Sequence, residues 1–179
     1  VRVYRDARGA KDFTLADKPR KAALKSQFTL NDVAQTMGRL TLSDVHRPQD
    51  VALAAKPAFT ATLETFDGLR LTLDAFAAKS GGDAKYVTLA AAYDPALVAA
   101  PAAQKGPGDK KDQPVKGPAA AADVAKEAKQ LDARLRPWVY ELPPFQLGNI
   151  NKTMADLLQS DKPEKTAAAH AAVHPAPHR

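Results

Sequence analysis

The chain has 179 residues, 6% aromatic residues, no cysteine and a formal net charge of +6 at pH 7. Its length allows one domain with a buried core, or two small ones, and the lack of cysteine excludes disulfides, thiolate metal sites and cysteine nucleophiles. No apolar run reaches the roughly 18 residues that a spanning helix needs, and no signal-peptide pattern is present. Because the chain opens at Val1, without a methionine, we expect a longer parent protein.

Basic side chains are concentrated near the N-terminus. Residues 1–25 contain eight of them against three acidic ones, a surplus of five within a net charge of +6. Such a surface can bind phosphate, an anionic membrane face or an acidic partner, although a solvated face is the interpretation we favour. Few aromatic residues interleave with it, so the pattern typical of nucleic-acid binders is missing. The alternative is an anion-binding site formed by Arg2, Arg5, Arg8, Lys18, Arg20, Lys21 and Lys25.

The first elements predicted are a hairpin and a helix. VRVYR and DFTLA alternate in period two, as a hairpin with one buried face requires. In FTLNDVAQTMGRL, residues 28–40, apolar side chains recur at helical spacing, with Thr29 or Asn31 as candidate N-caps and an end near Leu40. TLSDVHRP then predicts a short extended exit that Pro48 closes.

The segment AFTATLETFDGLRLTLDAF predicts a second hairpin. A two-residue turn at Asp67 and Gly68 would place Glu64 on the face of Leu71, which mixes polar and apolar residues. A three-residue loop instead pairs Leu63 with Leu71, so that the aliphatic side chains share one face. We therefore predict the longer loop, with Gly68 in the left-handed conformation. A third strand, roughly 85–93, completes a meander.

The C-terminal half alternates between low-complexity and structured segments. Residues 96–121 are rich in Ala, Pro and Lys and predict a mobile loop, and residues 160–179 predict a disordered tail of His, Pro and Ala. Between them lie a helix that stops before Pro137, a strand from Trp138 to Leu142, and a last helix. The last helix contains FQLGNINKTMADL, residues 145–157, which repeats the motif of residues 28–40 in register.

Together these elements predict one α+β domain over residues 1–159. Its antiparallel sheet consists of a hairpin plus a three-stranded meander and is covered on one face by about three helices. The positions that the two motifs share are mostly apolar, so the repeat indicates two helices that pack on a sheet, not a shared ligand site. Duplication and convergence both explain it. The paired apolar positions are Leu30, Val33, Met37 and Leu40 against Leu147, Ile150, Met154 and Leu157.

Three stretches resemble a known bacterial family. SQFTLNDVAQTMGRLTLSDVHRP, TFDGLRLTL and LDARLRPWVYELPPFQLGNINKTMADLL resemble, in order, the C-terminal half of the domain-of-unknown-function family 4340, particularly its alphaproteobacterial members. The resemblance implies an α+β domain that follows a related N-terminal half and a membrane anchor, and that faces the periplasm at the inner membrane. Members are often encoded beside ABC-transporter permeases and gliding-motility-type auxiliary proteins, which implies an accessory role in envelope transport. The family has no established catalytic residues to carry over.

The sequence predicts no catalytic site, metal site or cofactor. His46, the only histidine inside the predicted fold, has no nucleophile signature beside it. Three tail histidines have the spacing of a helical Zn or Ni site, but two prolines interrupt that helix; they are His170, His174 and His178. The carboxylates near the second hairpin share a face with Arg70, so they predict a solvent-side charge lattice with cross-strand pairs; they are Glu64 and Asp74.

Trp138, Tyr140 and Phe145 form the most prominent aromatic group. They could anchor a protein partner, although a chain poor in aromatic residues also needs them in its core, which we favour. Two hypotheses follow. The first is a non-catalytic envelope domain that contacts membrane transporter components or other envelope proteins, with no specific nucleic acid and no small-molecule substrate. The second is a module that binds an anionic polymer or membrane surface through the basic N-terminal hairpin.

Overall fold

The structure, a computed structural model, describes residues 1–98 and 118–159. It has the predicted α+β architecture, with a two-stranded sheet and a five-stranded sheet. In chain order the elements are β1 Val3–Tyr4, β2 Thr14–Leu15, α1 Gln27–Thr36, β3 Asp44–His46, β4 Phe59–Glu64, β5 Leu69–Ala78, β6 Gly81–Tyr93, α2 Pro118–Leu135, β7 Val139–Glu141, α3 Pro144–Ile150 and α4 Met154–Leu157. Short 3-10 turns lie at Pro48–Asp50 and Pro95–Leu97.

The large sheet is wider than the predicted meander. Its strand order is β3-β7-β6-β5-β4, and all neighbours are antiparallel. The extended exit after the first helix is therefore an edge strand, β3, and the strand near Trp138 is inserted between β3 and β6. The prediction missed both pairings because they join segments that are far apart in the sequence. β6 also begins at Gly81 rather than near Lys85.

The first hairpin is present as predicted, and the second also has the predicted register. Val3 lies opposite Leu15 in the first, and Leu63 lies opposite Leu71 in the second. The second turn is the predicted three-residue loop, since the backbone N–H of Thr65 donates to the Leu69 carbonyl at 2.9 Å. Gly68 has φ +91°, in the left-handed region that the parity argument required.

The apolar residues form two clusters. The larger lies on the large sheet and also contains residues of α3 and the residue after α1; its buried members are Met37, Leu73, Ala75, Val87, Tyr140, Leu142, Leu147 and Ile150. The smaller joins the N-terminal hairpin to α1 and α4; its buried members are Leu15, Leu30, Val33 and Leu157. Since residues 30–37 contribute to both clusters, α1 connects the hairpin to the sheet.

Several predicted boundaries were wrong. Ser26, not Thr29 or Asn31, caps α1 by accepting from the Thr29 N–H, and α1 ends at Thr36 instead of near Leu40. The last helix is broken into α3 and α4, because Thr153 starts a new helix with its own capping box. Both ends of the segment predicted as a mobile loop are structured, since a 3-10 turn spans Pro95–Leu97 and α2 begins at Pro118. Residues 99–117, and the tail of residues 160–179 with its three histidines, lie outside the described residues.

The two copies of the repeated motif pack against each other reciprocally. Met37 of the first copy shares a cluster with Leu147 and Ile150 of the second, while Met154 packs in the cluster of Leu30 and Val33. Each Met is the counterpart of the other, and the same holds for Leu30 and Leu147. Each copy therefore places its Met in the cluster that contains the Leu30 or Leu147 position of the other copy.

Residues that flank the two copies also pair with each other. Leu24, before the first copy, forms an antiparallel bridge with Leu158, after the second. Glu141, before the second copy, pairs antiparallel with Asp44, after the first. The counterpart of Leu158 is Thr41, so the second pairing is displaced by three residues.

Candidate functional site

The predicted aromatic group is divided between core and surface. Tyr140 is 6% exposed and belongs to the large cluster, its hydroxyl donates to the Leu135 carbonyl at 3.2 Å, and burial raises its pKa. Tyr140 is therefore a core residue, as the favoured interpretation had it, and the alternative role as an anchor for a partner is corrected for this residue. Trp138 and Phe145 are 39% and 67% exposed, so these two side chains remain available for contact.

Phe145 borders a cleft between α1 and α3, with a volume of about 250 Å³. α1 contributes Asp32, Gln35 and Thr36 to the lining, and the segment after it contributes two further residues. α3 supplies the opposite wall. The complete lining is Asp32, Gln35, Thr36, Arg39, Thr41, Phe145, Gln146 and Asn149. The cleft thus combines one carboxylate, one guanidinium, three side-chain amides and an exposed aromatic ring.

Three hydrogen bonds lie in the walls of the cleft, and two of them join α3 to the opposite wall. Asn149 Nδ2 donates to Asp32 Oδ2 at 2.8 Å, and these two residues are counterparts in the repeat, 117 positions apart. The backbone N–H of Thr41 donates to Gln146 Oε1 at 3.1 Å. The Thr36 hydroxyl donates to the Asp32 carbonyl at 2.7 Å. The cleft is therefore built where the two copies of the motif meet.

Other polar side-chain groups that line the cleft form no hydrogen bond or ion pair within the described residues. Within residues 1–98 and 118–159, Asp32 Oδ1, Gln146 Nε2 and the Arg39 guanidinium make no hydrogen bond or ion pair. The side-chain amide of Gln35 is in the same situation. Charged and amide groups of this kind can bind a polar occupant.

The basic N-terminal residues are partly engaged in contacts within the protein. The Arg5 guanidinium stacks over the Phe13 ring at 4.0 Å. Arg8 forms an ion pair with Asp67, and this hydrogen bond raises the pKa of Arg8. Lys18 and Lys25 donate to backbone carbonyls at 2.7 and 2.9 Å. The structure thus assigns these four of the candidate anion-binding residues to intramolecular contacts.

The remaining three candidates are more open. Arg2, Arg20 and Lys21 are exposed. In the part of the chain that the structure describes, none of the three forms an ion pair. Of the candidate anion-binding residues, these three are therefore the ones still available to an anion.

His46 belongs to a charge network at the edge of the sheet. Its Nε2 lies 3.4 Å from Glu141 Oε2 and 3.8 Å from Asp44 Oδ2. Its ring meets Tyr86 edge-on, with 5.8 Å between centroids. Glu141 also accepts from Lys85 Nζ at 3.2 Å, a hydrogen bond that raises the pKa of Lys85. These contacts connect β3, β7 and β6. We therefore interpret the network as one that stabilises the edge strand β3 on the sheet.

The predicted charge lattice on the second hairpin is present. Arg70 donates to Glu64 through Nε and Nη2 at 3.0 and 2.8 Å, directly across β4 and β5. The Thr60 hydroxyl donates to Asp74 at 2.5 Å. Among the described residues, no group of three His, Cys, Asp or Glu side chains is placed to hold a metal ion, and no helix is long and apolar enough to cross a membrane.

The cleft is the feature that the sequence interpretation missed. A signal for it existed, because Asp32 and Asn149 are polar residues at counterpart positions of the repeat. Their contact depends, however, on the two copies packing face to face, which spacing alone does not reveal. Comparisons with protein-family models, with curated proteins and with solved structures found no match for this chain.

Proposed function

We propose that the protein is a non-catalytic accessory domain of an ABC-type membrane transport system, and that it acts through protein contacts at the cleft and Phe145. The observation that supports this best is the exposure of Phe145, 67%, at the rim of a polar cleft. Large aromatic side chains next to polar groups are typical anchors of protein interfaces. The location on the periplasmic face of the inner membrane and the link to transport rest on the resemblance to family 4340.

The partner is testable by photo-crosslinking, because the chain offers a matched control. Phe28 is the repeat counterpart of Phe145 and is 79% exposed, but it does not line the cleft. A photoreactive phenylalanine analogue at position 145, in the cells that produce the protein, should form adducts with a transporter component. The same analogue at position 28 should form few or none. Equal adducts at both positions, or no transporter component at position 145, would refute the proposal.

The compartment needs a separate experiment. Because the chain has no cysteine, Ser80→Cys in the exposed turn between β5 and β6 provides a single thiol. We expect a membrane-impermeant maleimide to label it in cells with a permeabilised outer membrane. Labelling only after lysis of the inner membrane would contradict a periplasmic location.

A second function, binding of an anionic polymer or membrane surface, is favoured by the exposure of Arg2, Arg20 and Lys21. It predicts binding to vesicles that contain anionic lipid, with an affinity that falls steeply between low and physiological salt. The triple variant Arg2→Gln, Arg20→Gln, Lys21→Gln should abolish this binding. Three substitutions of exposed basic residues on α2, Lys126→Gln, Lys129→Gln and Arg134→Gln, provide the charge-matched control, and they should leave binding nearly unchanged.

A further inference from the structure

The strand β4 lies at one edge of the five-stranded sheet, and among the described strands it pairs with β5 alone. The backbone N–H of Thr65 donates to the Leu69 carbonyl, so the hydrogen bonds to β5 come from every second residue counted back from Thr65. The residues between them direct their N–H and carbonyl groups away from β5; they are Thr60, Thr62 and Glu64. Within residues 1–98 and 118–159, no backbone group pairs with this outer side.

The outer side of β4 lacks the features that usually protect an edge strand. Natural edges are blunted by Lys, Pro or a β-bulge. β4 contains neither Lys nor Pro, and its pairing with β5 continues without a register shift from Phe59 to Glu64. Its charged residue, Glu64, forms an ion pair with Arg70 at 2.8 Å. Because Thr60, Thr62 and Glu64 are exposed, another strand can add to this edge.

The sequence of β4 is complementary to itself in one antiparallel register. A two-fold axis at Thr62 places Thr62 opposite Thr62 of a second copy, and Thr60 opposite Glu64 of that copy. All three outward-facing residues then pair, with about six backbone hydrogen bonds. A shift by two residues in either direction leaves one of the three unpaired. A shift by one residue would place the threonines on the apolar face of the second copy.

The side chains also suit this register. On the solvent face, Thr62 meets Thr62 and Thr60 meets Glu64, so each cross-strand pair is polar. The two Glu64 side chains lie about 14 Å apart along the strands, so like charges do not face each other. On the other face, Leu63 lies opposite Ala61 of the second copy. Both residues are partly buried and pack against the larger apolar cluster, so the pairing would extend that apolar layer from one copy to the next.

We propose that two copies of this chain associate through antiparallel pairing of β4 with β4, which joins their five-stranded sheets into one continuous sheet. One pair of short strands buries less than the roughly 800 Å² per partner of a standard interface, so the dimer is weak and forms at micromolar concentrations or above. No residue that lines the cleft between α1 and α3 belongs to β4. Self-association therefore does not depend on a partner at the cleft, and it can fail or succeed independently of the proposed function.

Single cysteines test the register, because the chain has no cysteine of its own. Thr62→Cys places two thiols opposite each other with their Cα atoms about 5.5 Å apart, within the range of a disulfide. Thr60→Cys is the matched control, since it lies on the same strand and face but its two copies are about 14 Å apart. With the purified chain and a mild oxidant, we expect Thr62→Cys to form a disulfide-linked dimer at least tenfold faster than Thr60→Cys on non-reducing gels. Equal rates would overturn the proposed register.

Sedimentation velocity tests the association itself. The sedimentation coefficient of the wild type should rise with concentration from the low to the high micromolar range. Thr62→Lys places two like charges opposite each other on the axis and should weaken the dimer about fivefold or more, while circular dichroism checks that the fold is retained. Ser80→Lys adds the same charge at an exposed position of the turn between β5 and β6 and should leave association unchanged. Equal weakening by both variants would show general charge repulsion and overturn the assignment to β4. A wild type that stays monomeric over the whole range would leave the edge to a strand of another protein and overturn self-association.

Discussion

Gly68 holds the turn between β4 and β5 in a conformation that other residues rarely adopt. Its φ is +91°, and a Cβ on it would lie 2.7 Å from Tyr93 Cε2 and 2.8 Å from the Asp94 carbonyl. Gly68→Ala therefore adds a steric clash to an unfavourable backbone conformation. We expect the free energy of unfolding to fall by about 2–4 kcal/mol, measured by urea denaturation.

Gly81 separates these two causes. Its φ is +98°, but a Cβ there meets nothing within 4 Å. Gly81→Ala should therefore show the backbone cost alone, about 1–2 kcal/mol. If the two variants lose the same stability, the close approach of Tyr93 and Asp94 has no energetic role.

Asp132 links α2 to the sheet through its carboxylate. Arg136 Nε donates to Oδ2 at 2.9 Å, and the backbone N–H of Ala91 donates to Oδ1 at 2.9 Å. The hydrogen bond from Arg136, followed by the one from Ala91, lowers the pKa of Asp132. Because the folded pKa is lower than the unfolded value of about 3.9, this stabilisation is present above that value and is lost as the pH falls through the folded pKa.

Asp132→Asn tests this linkage. We expect the variant to be less stable than the wild type by on the order of 1 kcal/mol at pH 7, and the difference should shrink below about pH 4, where Asp132 becomes protonated. Urea midpoints between pH 2.5 and pH 7 measure it. Asp123→Asn, at an exposed position of the same helix, is the control. A difference for Asp132→Asn that stays constant down to pH 2.5 would contradict the assignment.

At the scale of elements, local patterns predicted what depends on neighbouring residues. The parity of Leu63 and Leu71 determined the loop length, because a shift by one residue would have moved every aliphatic side chain to the other face. The β3–β7 and β7–β6 pairings were not predictable, because nothing in a three-residue strand indicates its partner. The helix break was missed for another reason: the capping pair Thr153 and Asp156 interrupts an apolar stripe that continues at helical spacing through the break.

Thr153 fixes the start of α4. Its hydroxyl accepts from the Asp156 N–H at 3.3 Å, and its own N–H donates to the Asp156 carboxylate at 2.8 Å, which lowers the pKa of that carboxyl. Thr153→Ala should cost about 1 kcal/mol of unfolding free energy and accelerate hydrogen exchange of the Asp156 amide. Thr153→Ser keeps the hydroxyl and should restore most of both. Equal loss in the two variants would show that the γ-methyl group matters rather than the cap.

At the scale of the whole molecule, the cleft and the connection between the two apolar clusters have one origin. Both arise where the two copies of the motif meet, and each copy contributes to both apolar clusters. The sequence indicated the repeat but not its reciprocal packing, since similar apolar stripes are equally compatible with two helices that never touch. The candidate site was unpredictable for the same reason: Asp32 and Asn149 become neighbours only when the copies are antiparallel.

Leu30 provides a test of whether the two clusters unfold together. It is fully buried in the smaller cluster, so Leu30→Ala should destabilise the protein by about 3–5 kcal/mol. Trp138 is the only tryptophan and lies beside Val139 of the large sheet, so its fluorescence reports on unfolding of the sheet. Far-ultraviolet circular dichroism reports on unfolding of all helices.

Because residues 30–37 contribute to both clusters, we expect Leu30→Ala to shift the urea transitions seen by fluorescence and by dichroism equally, with coincident midpoints. Leu42→Ala, at an exposed position, should shift neither. A Trp138 transition that stays at the wild-type midpoint while the dichroism transition moves would mean that the hairpin, α1 and α4 unfold separately, and that the reciprocal packing of the repeat does not couple them to the sheet.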